Sequence, residues 1–108
     1  MEQNDFEWLL KWYENHFNGD RKHSEKINIS TIDNPGWSVS INLINTELEG
    51  KEFNQIKLEI SENNWLTCFK KDEIFEGRCG PLNLPQIFEV FRKWADDFEK
   101  QNYERTYR

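Results

Sequence analysis

Apolar positions along this chain recur at helical spacing, change to every second residue, and then return to helical spacing. From Asn4 the run NDFEWLLKWYENHFNG puts Phe6, Leu9, Leu10, Tyr13 and Phe17 on one stripe, with Trp12 on its flank. That spacing predicts a core-facing helix. Asn4 and Glu7 form a capping box at its start, and Gly19 stands where the last turn should stop. Alternation follows. Ile27 and Ile29 alternate with Asn28 and Ser30, and Trp37, Val39, Ile41 and Leu43 with Ser38, Ser40 and Asn42. Ile56, Leu58 and Ile60 then alternate with Lys57 and Glu59, while WLTCF (Trp65 to Phe69) and EIFEG (Glu73 to Gly77) read as two less regular strands. Period two with one polar face predicts an antiparallel sheet covered on one side. From Asn83, Leu84, Ile87, Val90, Phe91, Trp94 and Phe98 again share a helical face. Asn83 and Gln86 cap that helix, and Pro85 lies in its first turn, where a missing N–H costs nothing. The tail QNYERTYR has no apolar period and is expected to fray from about residue 101.

The order helix, five strands, helix predicts an α+β fold in a single domain over residues 1–108. Short connections favour a five-stranded, mostly antiparallel meander with the N- and C-terminal helices packed on one face. Such a sheet gathers DNPGW (Asp33 to Trp37), SENNW (Ser61 to Trp65) and Gly80 to Asn83 at one end. Gly19 to Glu25, Asn45 to Phe53 and Lys71 to Glu73 fall at the other. DNPGW has turn chemistry: proline fixes φ, glycine allows positive φ, and Asp and Asn bond their own backbone. Trp37, in phase with Val39 and Ile41, is expected on the covered face. Trp12, Trp37, Trp65 and Trp94 are the expected core tryptophans.

Eight Phe, five Trp and three Tyr supply most of the apolar bulk of these 108 residues. No apolar run reaches the roughly 20 residues that cross a bilayer, and the start MEQNDFEW is acidic rather than a secretory signal. The expectation is a soluble cytoplasmic protein, a monomer or weak dimer. A net charge of −6 argues against nucleic acid and for a basic partner.

Candidates for chemistry are few. Cys68 and Cys79 lack metal-type spacing and read as buried free thiols, and neither a metal nor a cofactor is expected. His16 borders the first helix's apolar stripe, where a packed, hydrogen-bonded histidine is the simpler reading. His23 follows Asp20 in a loop but has no second histidine near it in sequence, and a Cys68–His23 nucleophile pair has no support from the pattern. Catalysis is therefore not expected.

Seven runs carry a resemblance: WLLKWY, NGD..HS, DNPGWS, TELEGK.F, SENNW, FEG..GP.NL and VFRKWA. In order and spacing they resemble the immunity protein 53 family of bacterial polymorphic-toxin systems, from about Trp8 to Ala95. Between Asp20 and His23 that family pattern has Trp-Glu, and this chain has Arg21-Lys22. The resemblance implies a small protein that binds and neutralises a cognate toxin, without turnover.

With that implication the acidic residues stand out. Glu47, Glu49 and Glu52 share a loop with Lys51 alone, and Asp72 and Glu73 belong to the same end of the predicted sheet. Inhibitors of nucleases present carboxylates to the basic groove that would hold phosphate. Glu47, Glu49, Glu52, Asp72, Glu73 and His23 are the candidate toxin-facing residues. The alternative is a small ligand-binding or regulatory module that uses the polar sheet face of Ser30, Ser38, Ser40, Asn42 and Lys57.

Overall fold

The computed structural model describes residues 4–17 and 26–106, with side chains described as far as Asp96. The elements are α1 (Asp5–Phe17), β1 (Ile27–Ile32), β2 (Gly36–Asn42), β3 (Ile56–Ser61), β4 (Asn64–Lys71), β5 (Ile74–Cys79) and α2 (Leu84–Thr106). All seven coincide with elements predicted from the spacing, and the fold is α+β with one five-stranded antiparallel sheet. Gly19 and the loop around it, including His23, lie outside the described residues.

The strand order is β1-β2-β5-β4-β3, which departs from a simple meander. β2 pairs with β5, Val39 opposite Gly77 and Ile41 opposite Phe75, and β3 lies at the far edge beside β4. The connection over residues 43–55 is long enough to pass beneath β5 and β4 before β3 begins. Because β3 keeps the direction it would have in a meander, the turns still gather at the two predicted ends.

The core lies between the sheet and the helices. Val39, Ile41, Leu66, Cys68, Phe75 and Cys79 supply its sheet side, and Ile87, Phe88, Phe91 and Ala95 its α2 side. At Gly77 α2 lies close on the sheet, since an added Cβ would stand 2.7 Å from Ile87 Cγ2. Leu43 and Leu48, both fully buried, close the core from the crossing connection.

α1 is rolled relative to the predicted stripe. It buries Leu9, Trp12 and Phe17, and half-buried Trp8 joins them, whereas Phe6, Leu10 and Tyr13 are exposed. The reason is aromatic: Trp8 and Trp12 set their rings edge-on to Phe91 at 6.0 and 5.1 Å, turning the helix toward its heaviest side chains. Asn4 caps α1 as expected, the Glu7 amide donating to Asn4 Oδ1 at 2.8 Å, while the Glu7 carboxylate accepts from Asn4 Nδ2 at 3.2 Å. At the other terminus α2 continues through Thr106, past Gln101 where fraying was expected.

Trp37 packs half-buried against the core, and Trp94 does likewise from α2. Trp65 is the exception among the four tryptophans expected inside. Its neighbour Leu66 points inward opposite Cys79, so strand alternation turns Trp65 to the open face, opposite Glu59. No helix among the described residues is long and apolar enough to cross a membrane.

Candidate functional site

The two ends of the sheet differ in what their polar groups do. At the turn end, DNPGW, SENNW and GPLN meet. Gly36 has no positive φ, contrary to the turn reading; its glycine is required because an added Cβ would lie 2.0 Å from the carbonyl oxygen of Cys79. The Trp37 indole donates to the Pro81 carbonyl at 3.1 Å. Asn83, only 7% exposed, ties the rest together: its Nδ2 donates to Asn64 Oδ1 at 2.9 Å and to Gln86 Oε1, and its Oδ1 accepts from the Trp65 amide at 3.4 Å. The reciprocal capping box expected here is not formed. Pro85 has no N–H, the Gln86 amide donates to the Asn83 backbone carbonyl at 3.0 Å and the Asn83 amide to the Gly80 carbonyl at 3.1 Å, which leaves Asn83 Oδ1 for the Trp65 amide. Leu82, in the middle of this end, is 89% exposed, and no periodicity marked it.

At the loop end, the crossing connection is held from several directions. Glu47 accepts from the Trp12 indole at 3.4 Å and pairs with His16 Nε2. His16 Nδ1 faces the Trp12 carbonyl at 2.8 Å. Both ring nitrogens thus face oxygen atoms, one on the backbone of its own helix and one on the crossing connection. This is the packed histidine the sequence suggested. Thr46 Oγ1 donates to the Leu43 carbonyl at 2.7 Å, and Glu49 Oε1 accepts from the Asn45 amide at 2.6 Å. The Lys70 ammonium donates to the Lys51 carbonyl at 2.6 Å, Lys51 donates to the Trp94 carbonyl at 2.8 Å, and the Trp94 indole donates to the Glu52 carbonyl at 3.0 Å. Phe53 completes the seam, edge-on to Phe75 and Trp94 at 5.3 Å each.

Between β4 and β5 the hairpin turns through Asp72 and Glu73, whose φ values of 53° and 61° are those of a type I′ turn. Glu73 departs from the Asn-Gly such a turn favours, and its side chain shows why it is there. One oxygen accepts from the Gly50 amide at 2.7 Å, and the other pairs with Lys70 at 3.1 Å. The Gly50 amide bond, with Lys70 behind it, holds the Glu73 carboxyl below the usual glutamate value of 4.5.

The candidate carboxylates therefore divide. Glu47 and Glu73 are engaged within the chain, and Glu49 braces its own turn through one oxygen while remaining exposed. Glu52 and Asp72 stand in solvent at the same end. Sequence spacing could place all five together but could not separate bracing from presenting, because that depends chiefly on Trp12, His16 and Gly50, which lie 35, 31 and 23 residues from the carboxylates they meet.

The open face of the sheet carries Ser38, Ser40 and Asn42, as alternation required. Its polar groups serve one another: Ser40 donates to Glu76, Arg78 pairs with Glu76 at 3.4 Å, and the Arg78 guanidinium lies over the Phe69 ring at 5.3 Å. A hollow of about 150 Å³ lies between Lys26, Asn28, Ser40, Asn42 and Ile74. Cys68 and Cys79 are buried and free. Burial, and then the neighbouring Cys79, push the Cys68 thiol up to about 12, so it supplies no thiolate near neutral pH. Among the described residues no cluster of His, Cys, Asp and Glu could hold a metal ion.

Residues 6–96 match the sequence profile of immunity protein 53. The chain belongs to the immunity protein 53 family. The matched span begins inside α1 and ends at Asp96 in α2, so it takes in the whole sheet, both braced ends and the crossing connection. No curated protein and no solved structure matches the chain. At the turn end Gly36, Trp37, Asn64, Gly80 and Asn83 are the residues that join β2, β4, β5 and α2.

Proposed function

We propose that this member of the immunity protein 53 family binds and neutralises a cognate polymorphic toxin in the cytoplasm, by non-covalent contact and without turnover. The toxin presents a basic surface, as a nuclease does, and the loop end of the sheet meets it. The observation that carries this reading is the division among the carboxylates. Bonds to Trp12, His16, Gly50 and Lys70 use Glu47 and Glu73 to hold the connection, and Glu49, Glu52 and Asp72 project from the same end. A rigid acidic surface loses little conformational freedom on binding and steers a basic partner toward it.

The test uses the toxin encoded beside this gene. The wild-type chain should co-purify with it, and association should slow as salt rises. Reversing Glu49, Glu52 and Asp72 together to Lys should weaken binding on the order of a hundredfold, mostly through the association rate. The melting temperature should hold, since exposed loop charges contribute within about ±0.5 kcal/mol. An undiminished rate would remove this surface from the account, and failure of the wild type to bind or protect would remove the immunity reading itself.

A further inference from the structure

β3 is the least protected part of the sheet. All six of its residues are exposed, among the described residues no strand pairs with its outer edge, and Ile56, Leu58 and Ile60 are 39%, 42% and 64% exposed. Strands at an edge usually carry a device against pairing, such as a proline or an inward-pointing charge. Residues 56–59 have no proline and no inward charge, for Lys57 and Glu59 point to the open face while Ile56 and Leu58 point inward; Lys57 itself and the register shift after Glu59 are the devices this edge carries.

The direction of the free backbone groups follows from the ladder. Trp65 turns its carbonyl toward Gly80 on the β5 side, at 3.0 Å. Alternation then turns Leu66 and Cys68 toward β3, where they face Leu58 and Ile56. The N–H and C=O groups of Lys57 and Glu59 are consequently the ones that point out of the sheet.

We infer that β3 is a self-complementary edge through which two copies of this chain pair antiparallel, with the two-fold axis at Leu58. In that register Lys57 lies opposite Glu59 of the second copy, and Glu59 opposite its Lys57. The outward backbone groups of these residues form two reciprocal hydrogen-bonded pairs. Leu58 meets Leu58 as the close, non-hydrogen-bonded pair on the axis, inside the regular part of the strand. The sequence K-L-E thus reads as its own complement, aliphatic against aliphatic and cation against anion, as an isologous interface requires. Among the described residues Lys57 and Glu59 pair with each other, at 3.5 Å along one strand, and both remain largely solvated. β1, the opposite edge, has no charged residue between Ile27 and Ile32 and defines no such register.

An axis normal to the sheet puts the helices of both copies on the same face. Ile56 also lines an open groove of about 790 Å³ bounded by Phe53, Val90, Lys93 and Trp94. The shift in β3–β4 register after Glu59 leaves Ile56 to Glu59 as the regular part of the edge, so the dimer is small and weak.

Sedimentation equilibrium of the full chain tests this. The wild type should self-associate, with the β3 amides of Lys57 and Glu59 gaining exchange protection as concentration rises. Glu59→Lys alone, and Lys57→Glu alone, each set like charges opposite one another and should weaken the dimer by at least about tenfold. Mixing those two variants restores opposite charges across the axis and should give a heterodimer, which a purely intrachain Lys57–Glu59 pair does not predict. Leu58→Lys in both members should abolish it, so that general attraction between chains of unequal charge is separated from strand pairing. A wild-type monomer at concentrations up to about 1 mM would overturn the inference. So would a dimer indifferent to Glu59→Lys, or protection of the β3 amides that appears only with bound toxin and assigns the edge to it.

Discussion

At the turn end of the sheet, Asn83 is buried and its amide bonds Asn64, Trp65 and Gln86, while Gly36 admits a carbonyl where any side chain would collide. At the loop end, Glu47 and Glu73 are bonded as closely, yet Glu49, Glu52 and Asp72 beside them remain in solvent. Both ends are stiffened by side-chain bonds between segments distant in sequence. They differ in what is left over. The turn end presents Leu82 and a few turn residues, while the loop end presents surplus negative charge on a braced connection. The motifs DNPGW, SENNW and GPLN thus join strands, whereas the less distinctive TELEGKEF carries the charge.

The largest effect should come from the turn end. Gly36→Ala places a methyl 2.0 Å from the Cys79 carbonyl oxygen, a backbone atom that cannot swing aside. β2 and β5 would have to separate at their ends, for an expected loss of about 3 kcal/mol or more in denaturant unfolding. A loss under about 1 kcal/mol would mean that the end yields, and the contrast between the two ends would weaken. Asn83→Ala should come next. It strips the Trp65 amide of its acceptor and removes the bonds to Asn64 and Gln86, for about 2 kcal/mol.

The loop end sharpens the contrast through neighbouring carboxylates of unlike duty. Glu47→Ala should cost about 1 kcal/mol, because the Trp12 indole and His16 lose a half-buried acceptor. Glu52→Ala should stay within about ±0.5 kcal/mol, since its backbone carbonyl rather than its carboxylate receives the Trp94 indole. Equal losses from both would erase the distinction between bracing and presenting.

Much of this was legible in the sequence. Period changes located all seven elements, and the direction of each strand assigned the turns to the correct ends. Strand order was not legible. Proximity along the chain placed β3 beside β2, but period two states which face a residue occupies and says nothing of which strand lies next to it. One cue existed: Ile56 to Ile60 alternates cleanly with charges, as an edge strand does, while WLTCF and EIFEG are irregular, as befits the central β4 and β5. The roll of α1 escaped for a related reason. Counting apolar positions weights Leu10 and Tyr13 equally with Trp12, whereas packing follows ring area against Phe91. The carboxylates were brought together correctly as a group, but their bonds to Trp12, His16, Gly50 and Lys70 depend on side-chain geometry that no spacing contains.

The smallest effect concerns Glu73, and it distinguishes a brace from a bystander by its pH dependence. The carboxyl accepts the Gly50 amide and pairs with Lys70, which together lower its pKa in the folded state. A group whose folded value lies below its unfolded value contributes stability at pH above the unfolded value. That contribution disappears as pH falls through the folded value. Protection of the Gly50 amide against exchange, corrected for intrinsic rate, should therefore fall as pH drops from about 5 toward 3, ahead of global unfolding. Glu73→Gln keeps an oxygen able to accept the Gly50 amide but removes the titrating charge and the Lys70 ion pair. Its Gly50 protection should be lower at neutral pH and nearly flat across the same interval. Wild-type protection that is already flat would show that the carboxylate does not hold the connection, and Glu73 would then join Glu49, Glu52 and Asp72 among the charges available to a basic partner.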